Sequence, residues 1–191
     1  MNLTLMRANV RIDLKDVDPA NYRWIDAELD RAIARALSKF SEYCPREMKA
    51  TLATVAASKE LDISSLTSRV SVDTVEFPAD YAARFSVYQD TLYFLETEGD
   101  GEDCIIYYSA LHTLDAGSST IPTRYEDLVA AGAAAIAAVS IAEYSTNRAN
   151  YGGPNTDTDY MSWGTLKYQD FIKDCIAIKR KFRTNVLLPG G

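Results

Sequence analysis

The chain has 191 residues, of which 47% are hydrophobic and 25% charged, enough for one sizeable core or two small ones. Its formal net charge of -7 argues against a protein that coats nucleic acid. The three cysteines, Cys44, Cys104 and Cys175, are odd in number and far apart, so no disulfide framework is expected and a reducing cytosol is the simpler setting.

The opening "MNLTLMRANVRIDL" has no uninterrupted apolar run, so no signal peptide is expected. Leu3, Met6, Val10 and Leu14 stand at helical spacing and predict a short amphipathic helix, broken by the Asp18-Pro19 turn. In "WIDAELDRAIARALSKFSEYC", Ile25, Leu29, Ile33, Ala36 and Phe40 form a second apolar stripe, with Asp26, Asp30, Arg31 and Lys39 off it. Cys44-Pro45 ends that helix.

The pattern then changes. Thr51 to Ala56, Arg69 to Phe77, Ala83 to Tyr88, Thr91 to Glu96 and Asp103 to Ser109 are rich in Val, Ile, Thr, Tyr and Phe. They predict a small antiparallel β unit, with a turn at Gln89-Asp90 and a hairpin loop at "EGDGED". This unit is acidic: Glu60 to Asp103 holds eleven Asp and Glu against Arg69 and Arg84.

Helical signals return after Leu111. Ser119 or Thr120 can cap, Pro122 sits near the first helical position, and Glu126 and Asp127 suit the positive end of the helix dipole. The helix is expected to run to about Asn147. Its apolar stretch, Leu128 to Ala142, is 15 residues and falls short of a bilayer span of roughly 20. Nine of those 15 residues are alanine or glycine. Gly132 and Ala130 to Ala138, Ala135 among them, therefore mark a helix that others can approach closely. The competing explanation is that alanine simply favours helix. "NYGGPNTDTD" breaks the chain, and a last helix is expected from near Asp159. Met161, Gly164, Tyr168, Phe171, Cys175, Ile178 and Phe182 give it a heptad-like stripe. It ends in Lys179, Arg180, Lys181 and Arg183, a local +4 with no acid, before the extended "TNVLLPGG".

The fold class expected is α+β. Residues 1–48 and 111–183 form a bundle of about four helices, residues 49–110 an inserted β unit projecting from it, and residues 184–191 an extended tail.

Motifs with chemical content are sparse. His112 stands alone among histidines, so it is expected to be structural, and no cysteine pair has metal-binding spacing. No phosphate loop, nucleophile elbow or dinucleotide glycine pattern is present. "NTDTD" at 155–159 lacks the glycine and distal glutamate of a calcium loop, so helix capping is its expected use. A non-enzymatic protein without cofactor or metal is the expectation.

Three segments together resemble the head–tail connector, or adaptor, proteins of tailed bacteriophages. They are "NYRWIDAELDRAIARAL", "LHTLDAGSSTIPTRYEDLVAAGAAAIAA" and the final helix with its basic tail. The order of elements matches over nearly the whole chain. The motifs are packing motifs, without catalytic content. One local departure is Ile25, where such proteins often carry a capping Ser or Thr, so Asp26 or an earlier residue is expected to cap.

The resemblance implies a structural virion protein of the neck, assembled in the host cytoplasm. Such a protein forms a ring with its own copies, typically twelve, beneath the portal protein. It extends the DNA channel and docks the next neck or tail-completion protein. Double-stranded DNA passes through without specific binding, and no membrane is involved. The resemblance also implies that the C-terminal segment enters the portal. Lys179, Arg180, Lys181 and Arg183 would meet acidic portal groups, and Val186, Leu187 and Leu188 would fill an apolar groove. Two other readings stay open: a virion carbohydrate- or receptor-binding module carried by the β unit and its tyrosines, and a hydrolase with a carboxylate pair that the spacing does not single out.

Overall fold

The structure is a computed structural model that describes the backbone of residues 1–146 and 156–183 and the side chains of 1–143 and 160–179. Among the described residues it holds four α-helices and two three-stranded antiparallel sheets, an α+β fold. The chain divides into two compact units: Met1–Cys44 with His112–Gly191, and Pro45–Leu111.

The first unit is helical. Helix α1 spans Leu3–Leu14; the Asn2 side chain caps it by accepting from the Leu5 N–H at 3.0 Å. Met6, Val10 and Leu14 form its buried stripe. It ends at Lys15 in the left-handed region, φ 58°. Helix α2 spans Asp26–Tyr43 and buries Leu29, Ile33, Ala36, Leu37 and Phe40. The expected capping residue is corrected here. Ile25 itself is the N-cap, and it has no side-chain acceptor to offer. Glu28 supplies the other half of the usual pair: its carboxylate accepts from the Ile25 N–H at 3.1 Å. Asp26 is already helical.

Pro122 precedes a single 3-10 turn at Thr123–Tyr125, and helix α3 follows over Glu126–Thr146. Val129, Ala130, Ala133, Ala134, Ala135, Ala137, Ala138 and Ala142 are all buried, and these positions fall on every face of the helix. The reason is that α3 packs against α1, α2 and α4 (Thr156–Arg183). By length and composition α3 would also pass for a membrane span, as buried core helices do. Helix α4 begins three residues before the expected Asp159; the side chains of "NTDTD" lie outside the described residues.

The second unit is built from β1 (Arg46–Ala53), β2 (Glu60–Asp62), β3 (Arg69–Glu76), β4 (Phe85–Tyr88), β5 (Thr91–Phe94) and β6 (Asp103–Ala110). The sheet orders are β1-β6-β3 and β2-β5-β4. Cys104, Ile106, Tyr108 and Ala110 on β6 alternate inward and join Leu61, Ile63, Val75, Phe77, Leu92 and Phe94 in one core. Strand β1 starts five residues earlier than its apolar pattern suggests, because Arg46 to Lys49 pair with Ala110 to Tyr107 along the full length of β6. Strand β2, only three residues, gave no readable period.

The two-residue turn at Gln89-Asp90 joins β4 to β5 as expected. The "EGDGED" loop is not a hairpin. It carries the chain from β5 in one sheet to β6 in the other. Its tightness explains its composition: a Cβ on Gly99 would stand 2.4 Å from the Val55 carbonyl oxygen, and Gly101 has φ 91°. The Asp100 carboxylate accepts from the Glu102 N–H at 2.9 Å, which satisfies the corner's backbone.

Candidate docking and packing surfaces

The two helix-packing residues singled out from sequence both lie at crossings. A Cβ on Gly132 would stand 2.8 to 2.9 Å from three ring carbons of Phe171, itself buried in α4. Ala135 is fully buried, and its carbonyl oxygen would stand 2.9 Å from a Cβ on Gly164. Thus α3 and α4 approach each other through a glycine contributed by each helix. Small side chains on α3 make room for large ones on α4, which is why a helix with so little side chain can still fill a core.

The seven residues expected to dock the portal are only partly visible. Lys179 lies near the end of α4 with its ammonium 5.7 Å from the centre of the Tyr43 ring, within cation–π range. Arg180, Lys181 and Arg183 follow in the last turns of α4, and their side chains are outside the described residues. Val186, Leu187 and Leu188 lie wholly outside the described residues.

A buried polar knot went unrecognised in the sequence. Arg11, on the inner face of α1, donates to Asp16 at 2.6 Å, to the Trp24 carbonyl at 3.0 Å and to Asp26 at 2.8 Å. Asp16 also accepts from the backbone N–H of Arg23 at 2.7 Å and of Trp24 at 3.3 Å. Tyr22 stacks on the Arg11 guanidinium, 3.6 Å from ring centre to carbon. Arg7 grips Asp30 through two nitrogens, at 2.5 and 2.8 Å. The hydrogen bond from Arg11 holds the Asp26 carboxyl below its ordinary range. The knot orients Trp24, whose indole N–H donates to the Ala137 carbonyl of α3 at 3.2 Å. The "NYRWID" segment therefore fixes the α1–α2 corner onto the central helix. Arg11 sits beside the apolar stripe of α1, so its burial leaves no mark in the periodicity.

His112 is buried. Its ring nitrogens lie 3.0 Å from the Cys44 carbonyl and 2.9 Å from the Thr120 carbonyl, and its own N–H donates to Ser41 Oγ at 3.1 Å. It ties the end of α2 to the segment leading into α3, a structural role. The three cysteines are buried free thiols. Burial pushes Cys44 and Cys104 up to about 11 and Cys175 up to about 12, so all three remain protonated at neutral pH. Among the described residues no group of three or more His, Cys, Asp or Glu is placed to hold a metal ion.

Charge is divided unevenly. The β unit, residues 45–111, has twelve acids and five bases, a net -7 that equals the net charge of the whole chain. The helical unit is neutral overall. Five of those acids, Glu96, Glu98, Asp100, Glu102 and Asp103, crowd the exposed inter-sheet corner. Of the tyrosines in this unit, Tyr81 and Tyr88 are the most exposed, at 71% and 69%. A second surface feature is a groove of about 200 Å³ between α2 and α3, lined by Arg31, Ala32, Arg35, Ile136, Ala137 and Ile141 among others.

A scan of the chain against protein-family models and a search of curated proteins each find no match.

Proposed function

We propose that this chain is a head–tail connector of a tailed bacteriophage, a structural neck protein rather than an enzyme. The observation that carries the reading is the central helix α3. It is introduced by Pro122, carries eight alanines and a glycine between Ala130 and Ala142, and is enclosed by α1, α2 and α4. The β unit is inserted between the helical pairs. That order, with the "NYRWID" corner pinned to α3, is what the resemblance rests on.

The proposed role follows from the physics of such a neck. Copies form a ring beneath the portal protein, the bundle supplies its wall, and the next neck or tail-completion protein docks on its far side. The acidic excess lies in the β unit and not in the neutral bundle, so the β unit is the part suited to face the channel: like charge repels DNA phosphates and lets a duplex slide, whereas a basic wall would hold it. The basic end of α4 with the tail beyond it is the portal-docking element. Pro189 would keep that tail extended, as in strand addition to an exposed sheet edge.

The experiment is a truncation. A chain lacking residues 184–191 is expected to keep its fold and melting temperature. Its binding to the portal protein, measured by sedimentation or interferometry, should be lost. Full-affinity binding by the truncated chain would refute the docking role.

A further inference from the structure

The groove between α2 and α3 is flanked by two arginines that have no acidic partner among the described residues. Arg31 and Arg35 are four residues apart on α2, and both are exposed. Among the described residues no acid lies within ion-pairing distance of either, in contrast to Arg7, Arg11, Arg69 and Arg84. The one acid lining the groove, Glu28, is engaged by the Ile25 N–H. Beneath the guanidinium groups, Ala32, Ile136, Ala137 and Ile141 offer an apolar floor. A ligand for this groove carries a carboxylate beside an aliphatic side chain.

The corner of the β unit has that chemistry. Leu95 is 51% exposed although it directly follows strand β5, and Val55 is 60% exposed. The two segments are held side by side, since the Ala57 N–H donates to the Gly99 carbonyl at 2.8 Å. Five exposed acids, Glu96, Glu98, Asp100, Glu102 and Asp103, follow Leu95 in the chain, and Glu96 pairs with Arg84 at 2.7 Å. An exposed aliphatic side chain followed in sequence by a run of carboxylates complements an apolar groove rimmed by guanidinium groups.

We propose that the β-unit corner of one copy docks into the α2–α3 groove of a second copy. Leu95 would enter the groove, and Glu98 and Glu102 would pair with Arg31 and Arg35. The occupant is a second copy because charge division favours it: the acidic unit of one chain meets a neutral unit with a basic rim, whereas two acidic units repel. Two different surfaces meet in such a contact, so it is heterologous and propagates into a ring or an open filament. This deepens the connector reading by naming the contact between neighbours; the ring itself rests on that reading.

Charge reversal tests it. One variant carries R31E and R35E, the other E98K and E102K. All four residues are exposed, so each variant should keep the parental melting temperature, which is checked first. Self-association is followed by sedimentation velocity at high protein concentration and low salt, where exposed charges act over longer distances. The parent chain should self-associate and dissociate as salt rises. Each variant alone should associate about tenfold more weakly or not at all, and mixing the two should restore association. A parent that stays monomeric, variants that associate like the parent, or a mixture that stays monomeric would overturn the proposal. Restored association in the mixture upholds the contact even if the portal protein fails to bind, in which case the connector reading alone falls.

Discussion

Replacing Gly132 with leucine is expected to destabilise the folded bundle strongly. A single Cβ at this site would meet Cγ, Cδ2 and Cε2 of Phe171 at 2.8 to 2.9 Å, closer than real carbon contacts come. The ring cannot swing away, because Phe171 is only 2% exposed and packed within the helical core. Leucine adds three further carbons to that clash. Overpacking of this kind typically costs about 1–3 kcal/mol or more. A whole domain is stable by only about 5–15 kcal/mol, and each kcal/mol moves the midpoint by roughly 2–4 °C at this size. The upper end of that cost predicts a midpoint lower by on the order of 10 °C in a thermal melt followed by circular dichroism. Alanine at the same site should be milder, since it gains about 1 kcal/mol of helix propensity against its clash. Shortening Phe171 to leucine in the same chain should recover part of the loss, the mark of coupled neighbours. A Gly132→Leu chain that melts with the parent would mean that α3 and α4 do not cross there.

The second large effect is expected at Asp16. Its carboxylate, 5% exposed, pairs with the buried Arg11 guanidinium and accepts two backbone N–H groups. Asp16→Ala leaves all three donors with fewer partners and strands much of a positive charge away from water. Breaking a buried pair from one side costs about 3–5 kcal/mol. The midpoint should fall by on the order of 10 °C. Fluorescence of Trp24 should shift as well, because Asp16 holds the chain segment that carries it. Replacing both partners with apolar residues, Arg11→Met with Asp16→Leu, should be less damaging than Asp16→Ala alone, because no charge is then stranded. A single Asp16→Ala variant as stable as the parent would show that the knot contributes nothing to the fold.

The contrast between these two sites shows what could be read in advance. Gly132 was legible because glycine in an alanine run is chemically bare, and bareness in a helix invites close approach. Its partner, Phe171, was legible only as one member of a stripe, since periodicity assigns a face and not a contact. The helices α1 and α2 announced themselves through the 3.6-residue spacing of Met6, Val10, Leu14, Leu29, Ile33 and Phe40. The knot of Arg11 and Asp16 did not, because a charged side chain reads as a solvated one until tertiary structure buries it. In the β unit, Arg46 to Lys49 carry no strand pattern in the sequence although β6 pairs with all of them; strand pairing is a non-local property. The "EGDGED" corner had turn chemistry that two structures share, and only the sheet order separates a hairpin from a crossing between sheets. Arg31 was placed correctly off the apolar stripe and Arg35 was not singled out; that neither has an acid partner among the described residues is a statement about space. The basic tail after Lys179 was legible as an anomaly of composition, and its docking role comes from resemblance alone.

The most direct test of the central claim is electron microscopy of the purified chain mixed with the portal protein that the connector reading assigns to it as partner. The connector account predicts a ring of this chain stacked coaxially on one face of the portal ring, with a continuous central channel. Portal rings that remain bare at saturating concentrations of the folded, full-length chain would contradict it.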